Sequence, residues 1–239
     1  TAYLEMLLAR ARDAFGAEGC VEDVVIQEAM LLEDAGDLRL VQTVRAAAVD
    51  GGGALSVSVA SSAPDGAGAW ITHVTARLRR DAAETSPGVL EHARRQCPLE
   101  QEMPAFYADL ARRGLQFGER FRPVSRLWRG EGQALGEIAL TDDDGGATLF
   151  HPALLDGCLQ VLAAALPVDG DALFMPIAIG RYRLVDRPTA RCWSHVEVRA
   201  AEGDTRRADV SVYDETGRPI AQITGVSLKR ASRASLERL

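Results

Sequence analysis

The stretch His151-Pro152-Ala153-Leu154-Leu155-Asp156-Gly157-Cys158-Leu159-Gln160 opens the segment whose reading decides the fold. Leu155, Cys158, Leu159, Leu162 and Leu166 recur at three- and four-residue spacing, which predicts a helix over 152–166 with an apolar stripe. Around this helix the period changes to two. Residues 121–128 and 134–140 read as a strand pair about Gly130 and Gly132, and further strands are expected near 173–187, 190–200, 207–214 and 219–229. Val210 and Val212 alternate with Asp209, Ser211 and Tyr213, and Asp214-Glu215-Thr216-Gly217 stands where a hairpin needs its turn.

The first half is patterned in the same way. Tyr3, Leu4, Leu7, Leu8, Ala11 and Phe15 predict a helix, with Gly16 as its stop. Strand-like segments follow at 21–32 and 38–49, divided by Asp34, Gly36 and Asp37. After a turn at Gly51, Gly52 and Gly53, Leu55, Val57 and Val59 alternate with Ser56 and Ser58. A loop over 64–68 leads to a strand with Trp70, Thr72, Val74, Ala76 and Leu78 on one face. Residues 81–114 are polar, hold Pro87, Pro98 and Pro104, and read as a connector. It contains one short helix over 104–113, with Pro104 at its first position and Gly114 just past its end.

Each half is thus one long helix followed by about four strands, an internal repeat of architecture. A largely apolar helix packed against an antiparallel sheet buries both elements. The expected fold is α+β, a double hotdog of two antiparallel sheets, each wrapped round a central helix. Its divisions are an N-terminal hotdog at 1–80, a connector at 81–114, a C-terminal hotdog at 115–230 and a tail or linker at 231–239. Two strands precede the second helix and none precedes the first, so the first hotdog is expected to be N-terminally incomplete.

Composition sets the outer bounds. The 239 residues, 47% of them apolar, allow one large domain or two small ones and a sizeable core. With 34 acidic and 27 basic side chains the net charge is -7, which argues against a nucleic-acid partner. No apolar run approaches the roughly 20 residues that span a bilayer. The first ten residues contain Glu5 and lack a basic start followed by an apolar core, so no signal peptide is expected. The chain begins with Thr1 rather than Met, which suggests a fragment of something longer. Cys20, Cys97, Cys158 and Cys192 lie far apart without a C-x-x-C pair, so free thiols in a reducing cytoplasm are expected rather than a zinc site or disulfides.

Chemistry concentrates on the opening stretch. Asp156 and Gln160 are four apart and share one helix face among apolar neighbours. A carboxyl group in such surroundings is expected to bind its proton more tightly and could donate it near neutral pH, and Gln160 could orient that carboxyl or bond the same substrate group. The opposite reading places Asp156 in the first helical turn, stabilised by the helix dipole and solvent. A run of arginines, Arg112, Arg113, Arg120, Arg122, Arg126 and Arg129, holds Glu119 as its main acid. It reads either as a solvated face or, through Arg122 and Arg126, as a docking surface for an acidic partner.

The quoted stretch resembles the H-P-x-x-x-D-x-x-x-Q/H motif of dehydratase domains from modular type I polyketide synthases. Gly114-Leu115-Gln116-Phe117-Gly118-Glu119-Arg120-Phe121 is similar to their G-Y-x-Y-G-P-x-F stretch. Leu127-Trp128-Arg129-Gly130, Trp70-Ile71-Thr72-His73 and Met175-Pro176 sit where that family has comparable residues. Thr1-Ala2-Tyr3-Leu4-Glu5-Met6 looks like the segment directly after its H-x-x-x-G-x-x-x-x-P motif.

The resemblance implies a hydro-lyase that dehydrates a β-hydroxyacyl chain on an acyl carrier protein to an α,β-unsaturated thioester. In it a His of the first hotdog removes the α-proton, Asp156 protonates the departing hydroxyl, and Gln160 supports Asp156. Base and acid on opposite sides of a dry tunnel answer a weakly acidic α-proton and a poor leaving group. A backbone N–H at the start of a central helix would stabilise the developing enolate. His151, Pro152, Leu155, Phe117, Gly118 and Phe121 are the accompanying motif or tunnel residues, with 118–121 shaping a turn through the backbone freedom of Gly118. No cofactor or metal is implied, the substrate being carried on the phosphopantetheine of the carrier. The implied partners are that carrier and neighbouring synthase domains, with a homodimer expected in the cytoplasm.

Two departures keep other readings in view. The family's catalytic His lies in the motif that would precede Thr1, and His73, His92, His151 and His195 do not stand in its place. The family's Tyr and Pro are Phe117 and Glu119 here. An enoyl double-bond isomerase or cyclase on the same fold, and a non-catalytic dimerisation or spacer domain, are the alternatives.

Overall fold

A computed structural model describes residues 1–30, 40–48, 53–63, 68–81, 89–141, 146–167 and 173–231. The expected turns at 34–37 and 51–52, the loop at 64–67 and the tail at 232–239 lie outside the described residues. The first half runs α1 (Ala2–Phe15), β1 (Gly19–Ile26), β2 (Leu40–Ala48), β3 (Leu55–Ser62) and β4 (Ile71–Arg80). The second runs α2 (Leu90–Gln96), β5 (Leu99–Gln101), α3 (Met103–Arg112), β6 (Val124–Gly130) and β7 (Gln133–Ala139). It continues with α4 (Pro152–Gln160), α5 (Leu162–Ala165), β8 (Leu173–Leu184), β9 (Arg191–Glu202), β10 (Thr205–Tyr213) and β11 (Pro219–Ala231).

The repeat is a repeat of pairing. In the first half the strand after the helix pairs with the last strand, giving β1-β4-β3-β2. In the second the same rule gives β8-β11-β10-β9, and β7, β6 and β5 extend that sheet beyond β9. The two hotdog sheets meet edge to edge where β1 pairs antiparallel with β8, Val24 opposite Ile179, so eleven strands form one continuous antiparallel sheet. On the other side of β1, Asp23, with φ 50, lies in the register shift against β4 between Glu22 and Val25.

The central helices bury the residues their spacing marked. Leu4, Leu7, Leu8 and Ala11 of α1 are buried, and α4 buries Ala153, Leu154, Leu155 and Cys158. Each such leucine contributes about 1.5–3 kcal/mol. The expected single helix over 152–166 is interrupted at Val161, between α4 and α5. Val161 keeps helical angles but packs tightly on the sheet: a Cβ on Gly136 would meet its Cγ2 at 2.6 Å. Gly157 serves the same close approach, because a Cβ there would meet Pro123 Cγ at 2.5 Å.

The connector is more ordered than its composition suggests. Helix α3 matches the expected one, and it closes in a Schellman turn: Leu115 N–H bonds Leu110 O at 2.9 Å and Gly114 N–H bonds Ala111 O at 3.0 Å. Gly114 has φ 104, which a residue with a Cβ resists. Helix α2 and strand β5 were not legible in the sequence. Leu90, Ala93 and Cys97 pack with Leu135 and Tyr213 into a second core on the outer face of the C-terminal sheet. Strand β5 pairs with β6 as the outermost strand of that sheet.

Candidate active site

Asp156 and Gln160 lie one turn apart on α4, as their spacing predicts. Asp156 is the fifth residue of that helix, so the expectation of a place in the first turn is corrected. His151 is the N-cap: its Nδ1 accepts the Ala153 N–H at 3.1 Å, which places any ring proton of the neutral imidazole on Nε2. Pro152 follows as the first helical residue.

A chain of hydrogen bonds orients the pair. Val124 N–H donates to Tyr107 Oη at 3.2 Å, so the Tyr107 hydroxyl proton is free to point to Gln160 Oε1, 3.1 Å away. That leaves the Gln160 amide nitrogen facing Phe121 O at 2.9 Å, a carbonyl that can only accept, and Asp156 Oδ2 at 2.7 Å. Oδ2 of Asp156 is therefore an acceptor. Oδ1 meets the Thr1 hydroxyl at a long 3.4 Å. Burial pushes the Tyr107 phenol well up, with the nearby Asp156 adding to the shift, so Tyr107 remains a donor. Tyr107 comes from α3, 53 positions from Gln160, and no periodicity marks it.

Asp156 and Gln160 face a cavity of about 490 Å³ between the two hotdogs, inside the roughly 300–1,000 Å³ typical of small-molecule sites. Leu4, Val24 and Val74 line it from the first half, and Leu159, Leu162 and Ile179 from the second. Its wall is therefore largely apolar, and a carboxyl there acts with little competition from water.

The remaining motif residues divide. Phe117 lines the cavity. Leu155 is fully buried in the core. Phe121 contributes its backbone carbonyl to Gln160 while its ring is partly exposed. The expected backbone freedom of Gly118 is corrected: its φ is -68, an angle any residue adopts, and a Cβ there would meet open space.

The arginines do not form one uniform face. Arg122 is exposed, bonds Phe117 O at 2.8 Å and lies 5.7 Å from the centre of the Tyr107 ring. Arg126 pairs with Glu100 at 2.9 Å and stacks over Trp128. Arg129 bonds Ala164 O at 2.8 Å, and Arg113 is buried.

His73 and His195 are buried and hydrogen-bonded. His73 is buried, its Nε2 2.7 Å from Ser61 Oγ and its Nδ1 3.1 Å from Glu28 O, and its ring stacks on Tyr3. His195 lies 3.0 Å from Gln133 Oε1, and burial lowers its affinity for a proton. His92 is exposed on α2. All four cysteines are free and buried; Cys158 and Cys192 face each other at 3.6 Å between sulfurs, inside the core. Among the described residues no helix is long and apolar enough to cross a membrane.

Residues 85–238 match the family model described as polyketide synthase dehydratase N-terminal domain. The chain belongs to the polyketide synthase dehydratase family. Across 96% of its length it is 30% identical to the spectinabilin polyketide synthase system protein NorA' of Streptomyces orinoci. It is 28% identical across 94% to the polyketide synthase GfsE of Streptomyces halstedii. The chain spans only 6% of the length of each of these relatives. The dehydratase domain from the CurK module of curacin polyketide synthase superposes with a TM-score of 0.84 at 26% identity, over 98% of this chain and 82% of that one. Two further CurK dehydratase structures are of inactive mutants, one with an aspartate replaced by asparagine and one with a histidine replaced by phenylalanine. The double hotdog of this chain is the fold of this family.

Proposed function

We propose that this domain dehydrates a β-hydroxyacyl chain carried on the phosphopantetheine of an acyl carrier protein, within a cytoplasmic polyketide synthase. The observation that carries this reading is the Asp156 carboxyl at the wall of an apolar cavity, with Oδ2 held by Gln160 and Oδ1 met only at 3.4 Å by the Thr1 hydroxyl. A base takes the α-proton, the electron pair forms the Cα=Cβ bond, and the β-hydroxyl leaves as water with the proton from Oδ1 of Asp156. Gln160 holds Oδ2 and keeps that proton on the opposite oxygen. The family resemblance assigns the base to a histidine in the motif that would precede Thr1, and Thr1 lies against Asp156. The inactive aspartate and histidine mutants of the CurK dehydratase support a two-residue mechanism of this kind.

The test is Asp156→Asn in the full-length protein. Enoyl formation on carrier-bound substrate should fall by roughly 10²–10⁴-fold, the range for a lost general acid, while the fold stays intact. Near-normal dehydration would remove Asp156 from its role. Migration of the double bond in an enoyl thioester, without turnover of the hydroxyacyl substrate, would assign the same site to an isomerase.

A further inference from the structure

Arg113 occupies an unusual position for a cation. It lines the cavity, yet its side chain is 7% exposed. A guanidinium presents five N–H donors and does not lose its charge in a protein. Among the described residues Asp109 is its partner in an ion pair, and Arg112 pairs with that same carboxylate. Two cations thus share one anion. Among the described residues the buried Arg113 Nε–H has no acceptor. Buried donors of this kind are expensive unless something accepts from them.

Leu110, Leu115 and Phe117, the cavity residues nearest it in the chain, are apolar. The Schellman turn at Gly114 fixes the backbone at this point, so Arg113 ends α3 in a set position rather than on a free loop. A rigid, partly neutralised guanidinium in a dry wall is suited to an acceptor oxygen entering the cavity.

We propose that Arg113 forms an oxygen-binding subsite of the cavity, taking an acceptor oxygen of the carrier-tethered substrate. This rests on the dehydratase reading and extends it to substrate selection. Beyond the β-hydroxyl, thioester and amide oxygens that every such substrate carries, two parts offer that chemistry: an oxygen substituent on the acyl chain, and the phosphate of the phosphopantetheine arm. Arg113 is a specificity residue in this scheme and takes no part in proton transfer.

The experiment uses the full-length protein and four β-hydroxyacyl thioesters. Chains with and without a distal keto or hydroxyl group are each presented on N-acetylcysteamine, which has no phosphate, and on the phosphopantetheinylated carrier. Arg113→Met should lower kcat/KM by roughly ten- to a hundredfold for substrates bearing the recognised oxygen, and far less for the others. A loss that follows the distal oxygen on both handles assigns the acyl chain. A loss that follows the carrier with both chains assigns the phosphate. Arg113→Lys keeps a cation opposite Asp109 and should show the same selectivity in milder form, which guards against a folding defect in the Met variant. Equal loss on all four substrates, or loss on none, overturns the subsite. If the unmodified protein dehydrates none of the four, the dehydratase reading itself fails.

Discussion

The two hotdogs place a carboxyl group on each central helix and use it differently. Glu5 of α1 reaches across to the second half, where its two oxygens accept the N–H groups of Leu149 at 2.6 Å and Phe150 at 3.0 Å. These amides stand just ahead of His151, the cap of α4. Asp156 of α4 has one oxygen held by Gln160 and the other only loosely met by Thr1. The helix and the four strands after it pair in the same order in both halves, but saturation differs. A carboxylate with both oxygens occupied by backbone amides is a fastener, while one with an oxygen left toward an apolar cavity can exchange a proton. The contrast also links them, because Glu5 anchors the strand of backbone from which the Asp156 helix starts.

That contrast can be broken at several points. The largest effect belongs to Asp156→Asn, as set out above, and it should appear in turnover with little change in stability. Glu5→Ala should do the reverse. It orphans two amides, one of them buried, at about 1–3 kcal/mol each. Hydrogen exchange at Leu149 and Phe150 should accelerate by roughly 5- to 150-fold per 1–3 kcal/mol, with dehydration falling only as far as α4 shifts. If Glu5→Ala abolished turnover while exchange at 149–150 stayed slow, the division between fastener and acid would be wrong.

Tyr107→Phe comes next. It removes the donor that fixes the Gln160 amide and leaves Val124 N–H without its acceptor, so turnover should drop by about tenfold. Because burial raises the Tyr107 phenol, its proton stays in place well above neutral pH. The alkaline side of the pH–rate profile should therefore be the same in both proteins. A changed alkaline limb would make Tyr107 a titrating participant.

The smallest effect concerns His195. Burial lowers its folded-state proton affinity, so the unfolded chain binds the extra proton first as pH falls. Its contribution to stability is thus present above the ordinary imidazole range near 6.5 and is lost as pH drops below it. His195→Gln should flatten the fall in stability between pH 7 and 5 and leave turnover at pH 7 unchanged. An unaltered slope would show that His195 does not carry this dependence.

Legibility tracked distance along the chain. The helical stripes of α1 and α4 and the alternation in β3, β4 and β10 are local patterns, and they marked the elements to within a few residues. Asp156 and Gln160 were legible because four-residue spacing on a helix is itself a contact. Helix α2 has seven residues and β5 three, too short for periodicity to stand out; packing on the outer sheet face holds them. The role of Glu5 spans 144 positions and that of Tyr107 spans 53. Neither residue carries a local sign of its partner.

By itself the sequence determined two helix-plus-strands units, the Asp156 and Gln160 pair on one helix face, and through its motifs a family. Only the tertiary structure decided that β1 and β8 join the sheets, that a cavity opens between the halves, and which oxygen of Asp156 Gln160 holds. The physical reason is the range of the forces involved. Hydrophobic periodicity is set within one element, whereas hydrogen-bond saturation depends on donors and acceptors that folding brings from elsewhere in the chain.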